Sequence, residues 1–221
     1  MPTVACAIPS WLLGHDVTSV SSTKVVALTF DAGSSNAAVS SILDTLGRTG
    51  TPATFFLTGT WAQTYPSDAR RISDRFPIGN HSMTHPDFTT LSEAAMRDQL
   101  DRARTAILAA TGQDPRPYFR FPFGAVNNQA IAVVNARCYV PFRWTVDTLG
   151  WKGTSGGMSV TEVRDRVLGG VSNGAIVLMH VGANPDDGTT LDADALPSVI
   201  TGLRAAGYRL VTLEMLLGRD P

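Results

Sequence analysis

Two histidines stand four residues apart in His81-Ser-Met-Thr-His85-Pro86, in a chain with only four histidines in all. Set on one helical turn, that spacing puts both imidazoles on one side, where they could share a metal ion. A third histidine, His180, closes the apolar run Ile176-Val-Leu-Met-His180, and Asp31 closes another, Lys24-Val-Val-Ala-Leu-Thr-Phe-Asp31. Arg120 lies among aromatics and prolines in Tyr118-Phe-Arg120-Phe-Pro122-Phe123-Gly124. Trp144-Thr-Val-Asp147-Thr-Leu-Gly150-Trp151 adds an acid and two indoles. A carboxylate, a histidine and a metal pair are the parts of metal-assisted hydrolysis, which needs a polarised carbonyl, an activated water and a protonated leaving group. Near Asp31, the Arg120 guanidinium would orient the carboxylate and depress its pKa. An indole beside a polar cleft offers a flat face to a sugar ring. Each residue has a plainer use, as a turn acid, a capping histidine, a salt-bridge arginine or a core indole. Five such coincidences at five strand ends are improbable together.

The segments that carry these residues alternate in type. Strands are predicted over Val25–Phe30, Ala53–Leu57, Ile78–Asn80, Tyr118–Phe121, Tyr139–Thr145, Ala175–Met179 and Tyr208–Val211, from short apolar and β-branched runs bounded by turn residues. Helical periodicity fills the intervals at Ala38–Arg48, Ser92–Ala110, Asn127–Ala136, Val160–Leu168 and Ala195–Ala206. Thr90-Leu-Ser-Glu93 reads as a capping box opening the second helix, and Gly112 as its stop. About seven alternations imply parallel strands with helical crossovers, hence an α/β barrel or a doubly wound sheet. In both, active sites gather at the C-terminal ends of the strands, where the candidate residues fall.

The chain has 221 residues, 43% hydrophobic and 17% charged, as in an ordinary globular protein, and no linker or repeat divides it. One domain over residues 1–221, with a short N-terminal extension 1–23, is the economical reading. A net charge of -1 gives no general attraction to nucleic acid, and no apolar run is long enough to span a membrane. The first ten residues carry no signal-peptide pattern. Cys6 and Cys138 lie in no metal-type spacing, which leaves two thiols or one disulfide.

At these residues the sequence resembles the NodB-like polysaccharide deacetylases, carbohydrate esterase family four. Thr29-Phe-Asp31-Ala-Gly33, His81-Ser-Met-Thr-His85-Pro86, Arg120-Phe-Pro122-Phe123, Val146-Asp-Thr-Leu-Gly-Trp151 and Leu178-Met-His180 stand where that family has its five ordered motifs. The resemblance implies a distorted (β/α)7 barrel that removes N- or O-acetyl groups from polysaccharide with a divalent metal, zinc foremost and cobalt as another option. It makes Asp31 the general base, His180 the general acid and Arg120 the residue that orients Asp31. His81 and His85 become metal ligands, with Asp31 a further candidate. Pro122, Phe123, Asp147 and Trp151 would bind substrate, the Phe123 backbone holding the oxyanion. The implied partner is an acetylated polysaccharide or oligosaccharide, peptidoglycan ahead of chitin or acetylxylan. The implied protein is a monomer, secreted or associated with the cell wall, and that location favours the disulfide.

Two positions depart from the family. Its second aspartate in the first motif, a metal ligand, is Ala32 here; its second acid in the fourth, which pairs with the catalytic histidine, is Gly150. Asp31, or Asp186, Asp187, Asp192 or Asp194 after His180, is available to substitute, and Asp147 is another candidate partner for His180. The same departures motivate the alternative function, a non-catalytic glycan-binding protein on a decayed deacetylase barrel.

Overall fold

Strand β1 (Val25–Ala32) is buried along its whole length, as a strand covered on both faces must be. The computed structural model describes residues 8–218. In it β1 pairs in parallel with β2 (Thr54–Leu57), β7 (Ala175–His180) and β8 (Arg209–Val211). The path continues through β3 (Ile78–Asn80), β4 (Tyr118–Phe119) and β5 (Val140–Pro141) on one side and β6 (Val146–Asp147) on the other, in the order β5-β4-β3-β2-β1-β7-β6. The expected parallel α/β architecture is the observed one, a curled, incompletely closed barrel. Segment 17–20 bridges β5 and the start of β7: Val17 N donates to Pro141 O at 2.9 Å, Arg143 N to Val17 O at 2.8 Å and Val20 N to Gly174 O at 3.0 Å.

Side-chain alternation along β1 divides the core. Val26, Leu28, Phe30 and Ala32 pack in the layer toward the helices, while Val25 and Ala27 belong to the cluster with Phe56, Tyr118, Phe142 and Ile176. Thr29 and Asp31 share this second face and lie nearer the strand's C-terminal end.

The helices α1 (Val39–Thr49), α4 (Glu93–Thr111), α5 (Asn128–Ala136) and α6 (Val160–Gly170) fall where periodicity placed them. Helices α2 (Gly59–Thr64), α3 (Pro66–Ser73) and α8 (Leu213–Leu216) were not anticipated, being too short to show a period. The cap of α4 differs from expectation: Ser92 Oγ accepts from Ala95 N, while Thr90 donates to Asp87 O within a preceding 3-10 turn. Gly112 does end α4, in the left-handed region at φ 74. Of the predicted strand Tyr139–Thr145 only β5 forms, since the chain leaves it to meet segment 17–20, and the separate strand β6 begins just beyond, at Val146. Helix α7 (Leu191–Ala205) begins four residues before its predicted start and carries Pro197 inside it. Cys138 is not a free thiol, and its expected partner Cys6 lies outside the described residues.

Candidate active site

Arg120, just beyond β4, is fully buried, and a buried guanidinium must spend its donors on protein acceptors. Nη1 donates to Asp31 Oδ1 at 2.7 Å, Nη2 to Thr29 Oγ1 at 2.8 Å and Arg143 O at 3.2 Å, and Nε to Phe142 O at 3.0 Å. Its plane lies over the Phe56 ring, 4.2 Å from the centroid. Thr29 extends the network by donating to Val177 O at 2.6 Å. Burial alone would raise the Asp31 pKa, but the Arg120 charge and hydrogen bond, with His81 and His180 nearby, hold it below the usual carboxylate value. One oxygen of an ionised carboxylate is thus fixed by arginine, and Oδ2 faces His81 Nε2 at 3.4 Å.

The two histidines do not share a helical turn. Segment 81–85 is a loop after β3 in which Ser82 and His85 take positive φ, 69 and 62, unusual for residues bearing a Cβ. That backbone nevertheless brings the imidazoles together, with Nε2 to Nε2 at 3.1 Å. His81 Nδ1 donates to Arg120 O at 2.8 Å, which fixes its tautomer and leaves Nε2 unprotonated in the neutral ring. Burial lowers both pKa values, that of His85 to about 4. Neutral imidazoles with converging lone pairs fit two positions around a dication. The third ligand implied by the resemblance is not supplied at position 32, where a methyl group packs in the helix-facing layer. Among the described residues no group of three or more His, Cys, Asp or Glu side chains assembles as a metal site. The donor set fits a two-imidazole site with Asp31 beside it, and not the family's full triad.

His180 ends β7 directly beside Asp31, its register partner on β1. Its backbone N donates to Asp192 Oδ2 at 2.8 Å, and its Nδ1 lies 3.5 Å from the same oxygen. Burial works to lower the His180 pKa, but the carboxylate of Asp192, with Asp31 and Asp147, outweighs it and leaves the value raised. Of the other acids weighed for this partnership, Asp147 accepts from Leu149 N, and Asp187 accepts from Thr154, Ser155 and Thr189. Asp187 thereby ties the loop bearing Trp151 to the loop after β7, as does Asn184, which donates to Trp151 O at 2.9 Å.

These residues surround one cleft of about 570 Å³, a size that admits a sugar ring. Asp31, His81, His85, Phe123, Asp147, Trp151 and His180 line it, joined by Trp144 and Leu178. Phe123 is 69% exposed and Trp151 48% exposed, flat faces open to solvent at the rim. Phe123 also has positive φ, 60, and packs edge-on against His85 at 4.5 Å. Arg120 lies behind Asp31 rather than in the cleft, and Pro122 is buried in the 3-10 turn that carries Phe123. Thr29 and Thr148 were not expected as site residues. Each lies inside a quoted motif without a role of its own there, and each is a hydroxyl that completes a network, Thr29 with Arg120 and Thr148 with Asp192.

The family model for polysaccharide deacetylase matches residues 19–140. The chain is 34% identical over 212 residues to the peptidoglycan-N-acetylglucosamine deacetylase PgdA of Listeria monocytogenes, covering 96% of this chain but only 42% of that protein's length. It is 31% identical to the chitooligosaccharide deacetylase of a Bradyrhizobium species, covering 95% of this chain and 98% of the relative. Among solved structures, a mutant of a Bacillus anthracis carbohydrate esterase family four pseudoenzyme, described as having restored enzymatic activity, superposes with a TM-score of 0.80 at 35% identity. That match covers 89% of this chain and 68% of the other. Five strand-end motifs converging on one cleft, the matching family model and near full-length relatives agree: the chain belongs to the polysaccharide deacetylase family.

Proposed function

We propose that this protein hydrolyses acetyl groups from an amino-sugar glycan, peptidoglycan or a chitooligosaccharide, outside the cytoplasm. The observation that carries the reading is the placement of an arginine-held carboxylate, Asp31, and a carboxylate-paired imidazole, His180, on neighbouring strands facing one cleft. With Oδ1 held by Arg120, Asp31 takes a proton from the attacking water through Oδ2. The Phe123 backbone N–H is the candidate donor to the developing oxyanion, and His180 protonates the leaving amine or alcohol from Nε2. The Trp151 indole and the Phe123 ring flank the acetylated sugar and exclude water from the reacting carbonyl. A divalent ion held by His81 and His85 would supply polarisation of that carbonyl when bound.

Ala32 and the missing third ligand support a second reading, a glycan-binding protein without turnover. Acetate release from acetylated chitooligosaccharides, peptidoglycan and an aryl acetate, each with added zinc, cobalt or chelator, separates the two. Acetate release that Asp31→Asn abolishes is the expected result. Glycan binding with no release from any substrate under any metal condition establishes the binder instead.

A further inference from the structure

Asp192 sits in the first turn of α7, only 4% exposed, and both its oxygens are spent at the catalytic face of the barrel. Oδ2 accepts from His180 N and faces Nδ1; Oδ1 accepts from Thr148 Oγ1 at 2.7 Å. Among the described residues His180 Nδ1 is buried and has no hydrogen-bond partner, and the Asp192 carboxylate faces it at 3.5 Å. The space for this seat is left open by position 150. A Cβ on Gly150 would overlap the Asp192 carboxylate, coming within 2.6 Å of its Cγ. Gly150 is not among the residues of positive φ, so its backbone makes no demand for glycine. The demand is spatial, and the atoms that make it belong to Asp192.

We infer that Asp192 is the positioning residue for His180, having replaced an acid at position 150, and that Gly150 and Asp192 form one compensated pair. The carboxylate holds the His180 ring with Nδ1 protonated and turned inward, so that Nε2 faces the cleft. Thr148 fixes the carboxylate in turn, and the chain between β6 and α6 leaves room for it only because residue 150 has no side chain. The inference rests on the deacetylase reading for its kinetic consequences, but the ring orientation and the spatial exclusion stand without it.

The test compares the full chain with Asp192→Asn, Asp192→Ala, Gly150→Asp and the double variant Gly150→Asp/Asp192→Ala. Three readouts are taken: acetate release, thermal unfolding, and the 15N shifts of the His180 ring at a pH where the imidazole is neutral. Asp192→Asn keeps an oxygen facing Nδ1 but not the charge, and should lower kcat at least about tenfold with KM within about twofold, while Asp192→Ala removes the acceptor and the ring loses its single Nδ1–H tautomer. Gly150→Asp should unfold at lower temperature, because two carboxylates contend for one space. The double variant should regain both the tautomer and kcat to within about fivefold of the parent. An unchanged tautomer in Asp192→Ala would reduce Asp192 to a helix-end hydrogen-bonding residue and overturn the inference. A double variant no better than Asp192→Ala would overturn the pairing. Should the parent release no acetate from any substrate, the deacetylase reading fails by itself, and the ring shifts and unfolding temperatures still decide the inference.

Discussion

At the residue scale, Arg120 shows why the chemistry of a side chain decides whether a neighbour can replace it. Four hydrogen bonds radiate from its planar fork and a ring stacks beneath it. A lysine ammonium has neither the geometry nor the delocalised face. Charge-assisted hydrogen bonds of this kind contribute about 1.5–3 kcal/mol each. Arg120→Lys, with Asp31 no longer held, is therefore expected to lose about 10- to 100-fold in kcat. KM should change little, because Arg120 does not line the cleft. Steady-state acetate release checks both; a risen KM with kcat intact would show that the arginine touches substrate. Asp31 and His180 were legible because each closes an apolar run with a chemistry that run does not need, Arg120 as a charge among aromatics and prolines, and His81 and His85 by their spacing in a chain with few histidines. Asp192 was read only as one acid among several, since the predicted helix began after it, at Ala195. The observed α7 absorbs Pro197 and places Asp192 in its first turn.

At the scale of elements, long periodic segments were readable and short ones were not, because a strand of two residues or a helix of four carries no period. The turn leading into β4 is one such place, and it is organised by charge. Arg104 on α4 and Arg116 both donate to Asp114, each with a shortest contact of 2.6 Å. Partial burial works to raise the Asp114 pKa, but these hydrogen bonds outweigh it and hold it well below the usual carboxylate range. A carboxylate with a depressed folded-state pKa contributes stability that is complete above its unfolded pKa, about 4, and is lost as pH falls through the folded value. Asp114→Asn is thus expected to cost about 1–2 kcal/mol near neutrality, less than buried pairs would suggest because the cluster is partly solvated. Urea unfolding of parent and variant at neutral and at acidic pH would show the difference shrinking below pH 4. A difference that persisted there would mean that Asp114 acts through shape and not through its charge.

At the scale of the whole molecule, the sheet that delivers five strand ends to one cleft also constrains which residues could join His81 and His85 around a divalent ion. Along β1 the side chains alternate, so Asp31 faces the cleft while Ala32 shares the helix-facing layer with Val26, Leu28 and Phe30. The resemblance implies that the family's ligand at position 32 is absent here, but not that this position faces the core, since facing depends on pairing across the sheet. Ala32→Asp places a carboxylate in that apolar layer, at a cost of at least about 2 kcal/mol without a partner. In chelator the variant should unfold about 4–8 °C below the parent. Zinc gives the carboxylate a reason to turn toward His81 and His85, and a third, charged ligand strengthens binding to a dication. A gain of about tenfold in affinity corresponds to about 1.4 kcal/mol, so zinc should raise the unfolding temperature of Ala32→Asp more than that of the parent. His81→Ala should respond to zinc least of the three. Scanning calorimetry of all three with zinc and with chelator decides the matter. Equal zinc shifts in the parent and Ala32→Asp would mean that position 32 cannot reach the histidines from this strand, and equal shifts in the parent and His81→Ala would place the ion elsewhere.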